Sequence, residues 1–265
     1  MLFNWFAACE LPDSVQQSQP VPEPRLECIV RGDYPIDKLV AVRPAFSILH
    51  DYLPCMSKAT VWNRSPGGQS CDLMVVAMGK TGYGKSTTLN TLLRENAFET
   101  SDIDGCTRKL QSLEYRFNTS AANFYLSFAD LPGLGEHPEL DLQYYPLYRQ
   151  TLRSAQVVLY FVRADQRDYS VDLRAFAELV NGSGAGGKVI LVVNAVDKIE
   201  PLNRSLPFTL SLQQKRALDE KIDLLRGLFS IPESVIIPVS GTEGFNLDAL
   251  AKAIVSKLST SLVRA

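Results

Sequence analysis

Apolar residues follow two different patterns along the chain. Over residues 36–60 they recur at loosely helical spacing, broken by Pro44 and Pro54, which predicts one or two short helices. From residue 72 the pattern sharpens. Residues 73–78 (LMVVAM), 156–162 (QVVLYFV) and 188–194 (KVILVVN) are continuous apolar runs. Such runs mark strands covered on both faces. Residues 110–117 and 124–130 read as two further strands around a polar NTSAAN turn, and 235–239 as the last strand. Helical periodicity falls between the strands, over 85–95, 141–153, 171–180, 212–228 and 246–258. Strands alternating with helices predict an α/β sheet with helices on both faces.

The first 70 residues are read as an N-terminal extension and 71–265 as the main domain. Within the extension, residues 12–24 (PDSVQQSQPVPEP) hold four prolines among Ser and Gln, the composition of an extended linker. Turn-forming residues in 64–70 (RSPGGQS) close the region. Leu2, Phe3, Trp5 and Phe6 could touch a partner or the surface of a membrane, or fold back on the domain. No apolar run approaches the roughly 18 residues needed to span a bilayer.

Composition narrows the classes. Lys and Arg number 27 and Asp and Glu 29, so the net charge is −2 and there is no whole-chain basic field for nucleic acid. The five cysteines (Cys9, Cys28, Cys55, Cys71, Cys106) form no CxxC pair, which argues against a zinc site. Scattered thiols suggest a reducing, cytoplasmic setting.

The chemistry sits at strand ends. Gly79-Lys80-Thr81-Gly82-Tyr83-Gly84-Lys85-Ser86 matches G-x-x-x-x-G-K-[ST] between a predicted strand and a predicted helix, with Thr87 following. In this pattern backbone N–H groups turn inward on phosphate oxygens and the helix offers its positive end to the same charge. Lys85 reaches the β- and γ-phosphates, and the Ser86 hydroxyl ligates Mg²⁺. Asp130-Leu131-Pro132-Gly133 ends a later strand; its carboxylate suits Mg²⁺ through a water, and the Gly133 N–H suits the γ-phosphate. Between the two motifs Thr107 is the candidate to close over the metal, with Thr100 the alternative. Asn194-Ala195-Val196-Asp197 follows the strand KVILVV. A carboxylate at Asp197 accepts from both guanine N1–H and the 2-amino group, a donor pair that adenine lacks. Asn194 would bind the base and brace its loop, and Ser240-Gly241 in VSGTEG would meet the guanine oxygen.

Taken in order, GKTGYGKS, the Thr107 loop, DLPG, NAVD and VSGTEG resemble the five motifs of P-loop GTPases over roughly residues 72–260. The chain is similar to the Era, MnmE and septin branch of the TRAFAC class. The stretches DLPGLGEHPELDLQYYPLYRQTL, VVLYFVRADQRDYSVD and VVNAVDKIEP look most like the bacterial YfjP/YeeP-like GTPases. The resemblance implies a Ras-like sheet of six strands, one antiparallel, with GTP or GDP at the strands' C-terminal ends. It implies Mg²⁺-dependent hydrolysis of GTP, slow alone, with a homodimer or an unknown effector as activator, or else a nucleotide-gated scaffold. Contact with a ribosome rests on fold-level analogy alone. A P-loop ATPase or kinase is disfavoured by Asp197.

Three departures stand out. Ala195 replaces the lysine of NKxD, Leu134 stands where Ras-like members carry glutamine, and Gly82 replaces the asparagine of potassium-activated members. Candidates to position the attacking water are Thr107, Glu136 and His137, and Arg108 or Arg163 are candidate arginine fingers. Asp165 and Asp168 are expected only to pair or cap a loop, and Tyr83 to be a half-exposed loop aromatic.

Overall fold

The computed structural model describes residues 27–35, 63–65, 68–100, 110–118, 123–135, 138–203 and 205–263. The continuous apolar runs become β3 (Gly68–Gly79), β6 (Val157–Arg163) and β7 (Val189–Asn194). Both β6 and β7 are buried along almost their whole length. In β5 (Asn123–Asp130) buried and half-buried positions alternate until the last three residues, as expected for a strand nearer the edge. It pairs antiparallel with β4 (Gln111–Asn118), and β8 (Ile236–Pro238) closes the far side. These six strands run β4-β5-β3-β6-β7-β8, all parallel except β4 against β5, as the resemblance implies.

The sheet also takes in two strands from the N-terminal region. β1 (Glu27–Pro35) lies parallel beside β4, with an irregular register between Arg31 and Tyr34, and β2 (Asn63–Ser65) folds antiparallel onto the start of β3. The sheet therefore has eight strands. The short helices expected over 36–60, the linker over 12–24 and the aromatic segment before it lie outside the described residues.

Helices occupy the predicted intervals: α1 (Lys85–Leu93), α2 (Pro138–Ser154), α3 (Ser170–Ala175, continuing as a π-helical stretch Phe176–Asn181), α4 (Leu212–Phe229) and α5 (Leu247–Val263). Helix α4 starts on a reciprocal cap. The Ser211 hydroxyl accepts from the Gln214 N–H at 3.2 Å, and the Ser211 N–H donates to Gln214 Oε1 at 3.0 Å. Among the described residues no helix is long and apolar enough to cross a membrane.

Register brings the motifs together. Asp130 pairs with Ala77, Gly79 with Phe161, Arg163 with Asn194 and Val193 with Pro238. Parallel strands in register end on one edge, so residues separated by more than a hundred positions meet there. In an open α/β sheet this is the edge that binds ligands.

Candidate functional site

The cradle begins where β3 ends. Gly84 adopts φ 77° and turns the chain into α1, with no side-chain cap on the helix. A Cβ at Gly84 would lie 2.4 Å from Asn194 Nδ2, so this position takes no side chain without moving Asn194. The uncapped first turn leaves its amides to whatever anion the loop receives. Lys85 is buried and its ammonium folds back to the Gly79 and Lys80 carbonyls at 3.2 and 3.1 Å. Ser86 and Thr87 follow in the first turn of α1, and Thr91 Oγ1 donates to the Thr87 carbonyl.

Ser86 Oγ donates to Asp130 Oδ2 at 2.5 Å. Asp130 is fully buried, and burial pushes its carboxyl up to about 6 even though Lys85 and the Ser86 bond pull it down. Its other oxygen, Oδ1, has no hydrogen-bond partner among the described residues. A hydroxyl, a carboxylate and an unmatched carboxylate oxygen beside a phosphate-type loop are hard oxygen donors suited to Mg²⁺. The fit rests on that orphaned oxygen, since a buried acceptor without a partner is costly.

The chain after Asp130 lies against the loop. The Leu134 N–H donates to the Gly79 carbonyl at 3.2 Å, and the Thr81 N–H donates to the Leu134 carbonyl at 3.1 Å. Gly133 is pressed onto Thr81: a Cβ there would fall 1.9 Å from Thr81 Oγ1 and 2.6 Å from its Cα. Tyr148 on α2 donates from its hydroxyl to the Pro132 carbonyl and pins the segment from behind. Leu134 is buried, so the position that carries a water-orienting glutamine in Ras-like proteins is here packing.

At the other end Asn194 joins two loops. Its Nδ2 donates to the Tyr83 carbonyl at 2.8 Å, and its Oδ1 accepts from the Gly241 N–H at 3.0 Å. Asp197 is buried; Oδ1 accepts from Ser240 Oγ at 2.7 Å and Oδ2 faces Lys198 Nζ at 2.9 Å. Ala195 between them has φ 61°.

The structure brings together Gly79 to Thr87, Asp130, Gly133, Asn194, Asp197, Ser240 and Gly241. Thr107, its neighbours Cys106 and Arg108, and Glu136 and His137 lie outside the described residues. One expectation is corrected by packing, and the described arginine candidate is found paired. Tyr83 is buried, not half-exposed, because its hydroxyl finds Asp172 Oδ2 at 3.0 Å under α3. Arg163 is no free arginine: it pairs with Asp165 at 2.7 Å and donates to the Gly82 carbonyl at 3.3 Å, bracing the loop from outside. Asp168 caps Ser170 at 2.8 Å, as expected of a loop residue. Asp172 and Tyr148 escaped the sequence reading. Their only signal was a polar or phenolic residue on the inner side of a predicted helix.

A family model described as 50S ribosome-binding GTPase matches residues 74–195. Two uncharacterized proteins of Escherichia coli K12, YkfA and YfjP, are 34% and 32% identical over 181 residues, which is 68% of this chain and 60% of each of them. The chain thus spans less than two thirds of these relatives. Among solved structures, a variant of Aquifex aeolicus Era bound to GDP·AlF₄⁻ matches with a TM-score of 0.56 at 28% identity, over 71% of this chain and 57% of that one. Motif order, sheet order and these likenesses agree: the chain belongs to the P-loop GTPases of the TRAFAC class.

Proposed function

We propose that this domain binds GTP with Mg²⁺ and hydrolyses it slowly to GDP and phosphate, with turnover raised by self-association or a partner. The observation that carries the reading is the Ser86–Asp130 contact, with its orphaned carboxylate oxygen, set beside the buried Lys85. Ser86 and Asp130 would hold the ion, directly and through water, and the ion would neutralise charge shared by the β- and γ-phosphates. Lys85 would exchange its two carbonyl partners for phosphate oxygens. Its charge and the amides of the loop then stabilise charge on the transferring phosphoryl group, the largest lever such a site has. The Gly133 N–H would address the γ-phosphate, with Thr107 closing over the metal. Asp197 would accept from guanine N1–H and the 2-amino group, while Asn194, Ser240 and Gly241 hold the base loops.

Slow intrinsic turnover follows from Leu134. A buried apolar side chain with both backbone groups tied to the P-loop does not orient water. Turnover alone is therefore set well below the typical enzyme value of about 10 s⁻¹. Phosphate release from GTP, followed over a wide range of protein concentration, tests this. A low rate per molecule that climbs with concentration supports activation by self-association through this domain. A fast, concentration-independent rate contradicts it.

The backbone pairing of Leu134 with Gly79 and Thr81 also favours a second reading, a nucleotide-gated binding module with little turnover. A γ-phosphate arriving at Gly133 would compete with that pairing and so report its presence to α2. Binding of GTP without measurable phosphate release at any concentration distinguishes this reading from the first.

A further inference from the structure

Lys198 follows the base-reading carboxylate directly. Asp197 sits on the single turn Val196–Lys198 after β7, and both of its oxygens are engaged, Oδ1 by the Ser240 hydroxyl at 2.7 Å and Oδ2 by the Lys198 ammonium at 2.9 Å. The lysine side chain is exposed and borders a cavity of about 420 Å³ whose walls include Leu202, Leu206, Phe208 and Glu243. Ala195 offers no competing side chain of any length on the same turn.

We propose that Lys198 sets selectivity at the C2 position of the purine. This rests on the guanine-site reading and deepens it. In the pose proposed, the guanine 2-amino group donates to Oδ2, the oxygen already in contact with the Lys198 ammonium, so its gain is reduced. A hydrogen at C2 makes no such demand. A 2-oxo group is an acceptor, and an ammonium has three N–H groups, of which the Asp197 contact uses one. Lys198 therefore narrows the preference for guanine over hypoxanthine and widens tolerance of xanthine.

The test is equilibrium binding of GDP, IDP, XDP and ADP to the full chain as wild type, Lys198→Met and Lys198→Arg. Methionine keeps an apolar stem of similar reach at an exposed position and removes the charge. It is expected to raise the GDP-over-IDP ratio by about two- to fivefold, the scale of a partly exposed ion pair, and to weaken XDP relative to IDP. Lys198→Arg keeps the wild-type order. Unchanged ratios in Lys198→Met, or equal loss of GDP and IDP, overturn the proposal while leaving the guanine site standing. GDP binding no better than ADP in every variant overturns the guanine site and the proposal together.

Discussion

The two ends of the cleft are built differently. At the base end nearly every polar atom has a protein partner: Asn194 is used at both ends of its amide, and both Asp197 oxygens are engaged. At the proposed phosphate end, Thr81 Oγ1 and Asp130 Oδ1 are buried without a partner among the described residues, and Asp172 Oδ1 lies unpaired behind Tyr83; Thr88 Oγ1, also without one, lies against Gly241 between the two ends. A fold tolerates such groups where a charged ligand supplies the missing bonds, because leaving them unmet costs roughly 1–3 kcal/mol each. The base end is a scaffold finished in advance. On the proposed reading, the phosphate end is finished by its ligand.

The largest effect expected from this contrast is at Lys85. Lys85→Ala removes two charge-assisted contacts to phosphate and lowers nucleotide affinity by about a hundredfold or more, measured by equilibrium titration. In the ligand-free protein the same change costs less, about 1–2 kcal/mol, because the desolvated ammonium leaves together with its bonds to the Gly79 and Lys80 carbonyls. A melting temperature that collapses with affinity would make Lys85 structural instead.

Asn194→Ala sharpens the comparison from the other end. It orphans the Tyr83 carbonyl and the Gly241 N–H, so it destabilises the ligand-free fold by about 2–4 kcal/mol in denaturant unfolding. If stability is unchanged while affinity falls, the base end is not the finished scaffold inferred here.

Protonation of Asp130 gives the third expectation. Its carboxyl is raised to about 6 from 3.8, so the folded chain holds this proton more tightly than the unfolded one. Between those values the contribution of Asp130 to stability therefore falls as pH rises, by an amount on the order of 3 kcal/mol in the ligand-free protein. Mg²⁺ needs the ionised form, so Mg²⁺-supported nucleotide binding weakens as pH drops below 6, by up to about tenfold per unit. Asp172 is also raised to about 6, by burial, so the informative quantity is the difference between wild type and Asp130→Asn. That difference is flat across pH 4–7 if Asp130 is not the group involved.

Tyr83→Phe is the mildest change. It deletes the hydroxyl that donates to Asp172 and costs about 1–2 kcal/mol, with nucleotide affinity reduced only slightly. A large loss of affinity at unchanged stability would move Tyr83 from brace to ligand contact.

Sequence and structure agree most closely where one physical signal dominates. Continuous apolar runs announced β3, β6 and β7, and strand-end motifs located the cradle, because glycine, lysine and carboxylate spacing follows from phosphate chemistry. Two kinds of feature were hidden. Residues 27–35 mix charged and apolar positions without clean alternation, so their place as β1 beside β4 came only from tertiary pairing. The Tyr83–Asp172 bond and the Arg163 brace join residues 89 and 81 positions apart, a proximity that no local pattern encodes.

The most direct test of the account is an equilibrium titration with fluorescent GDP and GTP analogues, with and without Mg²⁺, and with unlabelled ATP as competitor. The account predicts saturable guanine-nucleotide binding, strengthened by Mg²⁺ and not displaced by ATP. A folded protein that binds neither analogue, or that releases both to ATP, would contradict it.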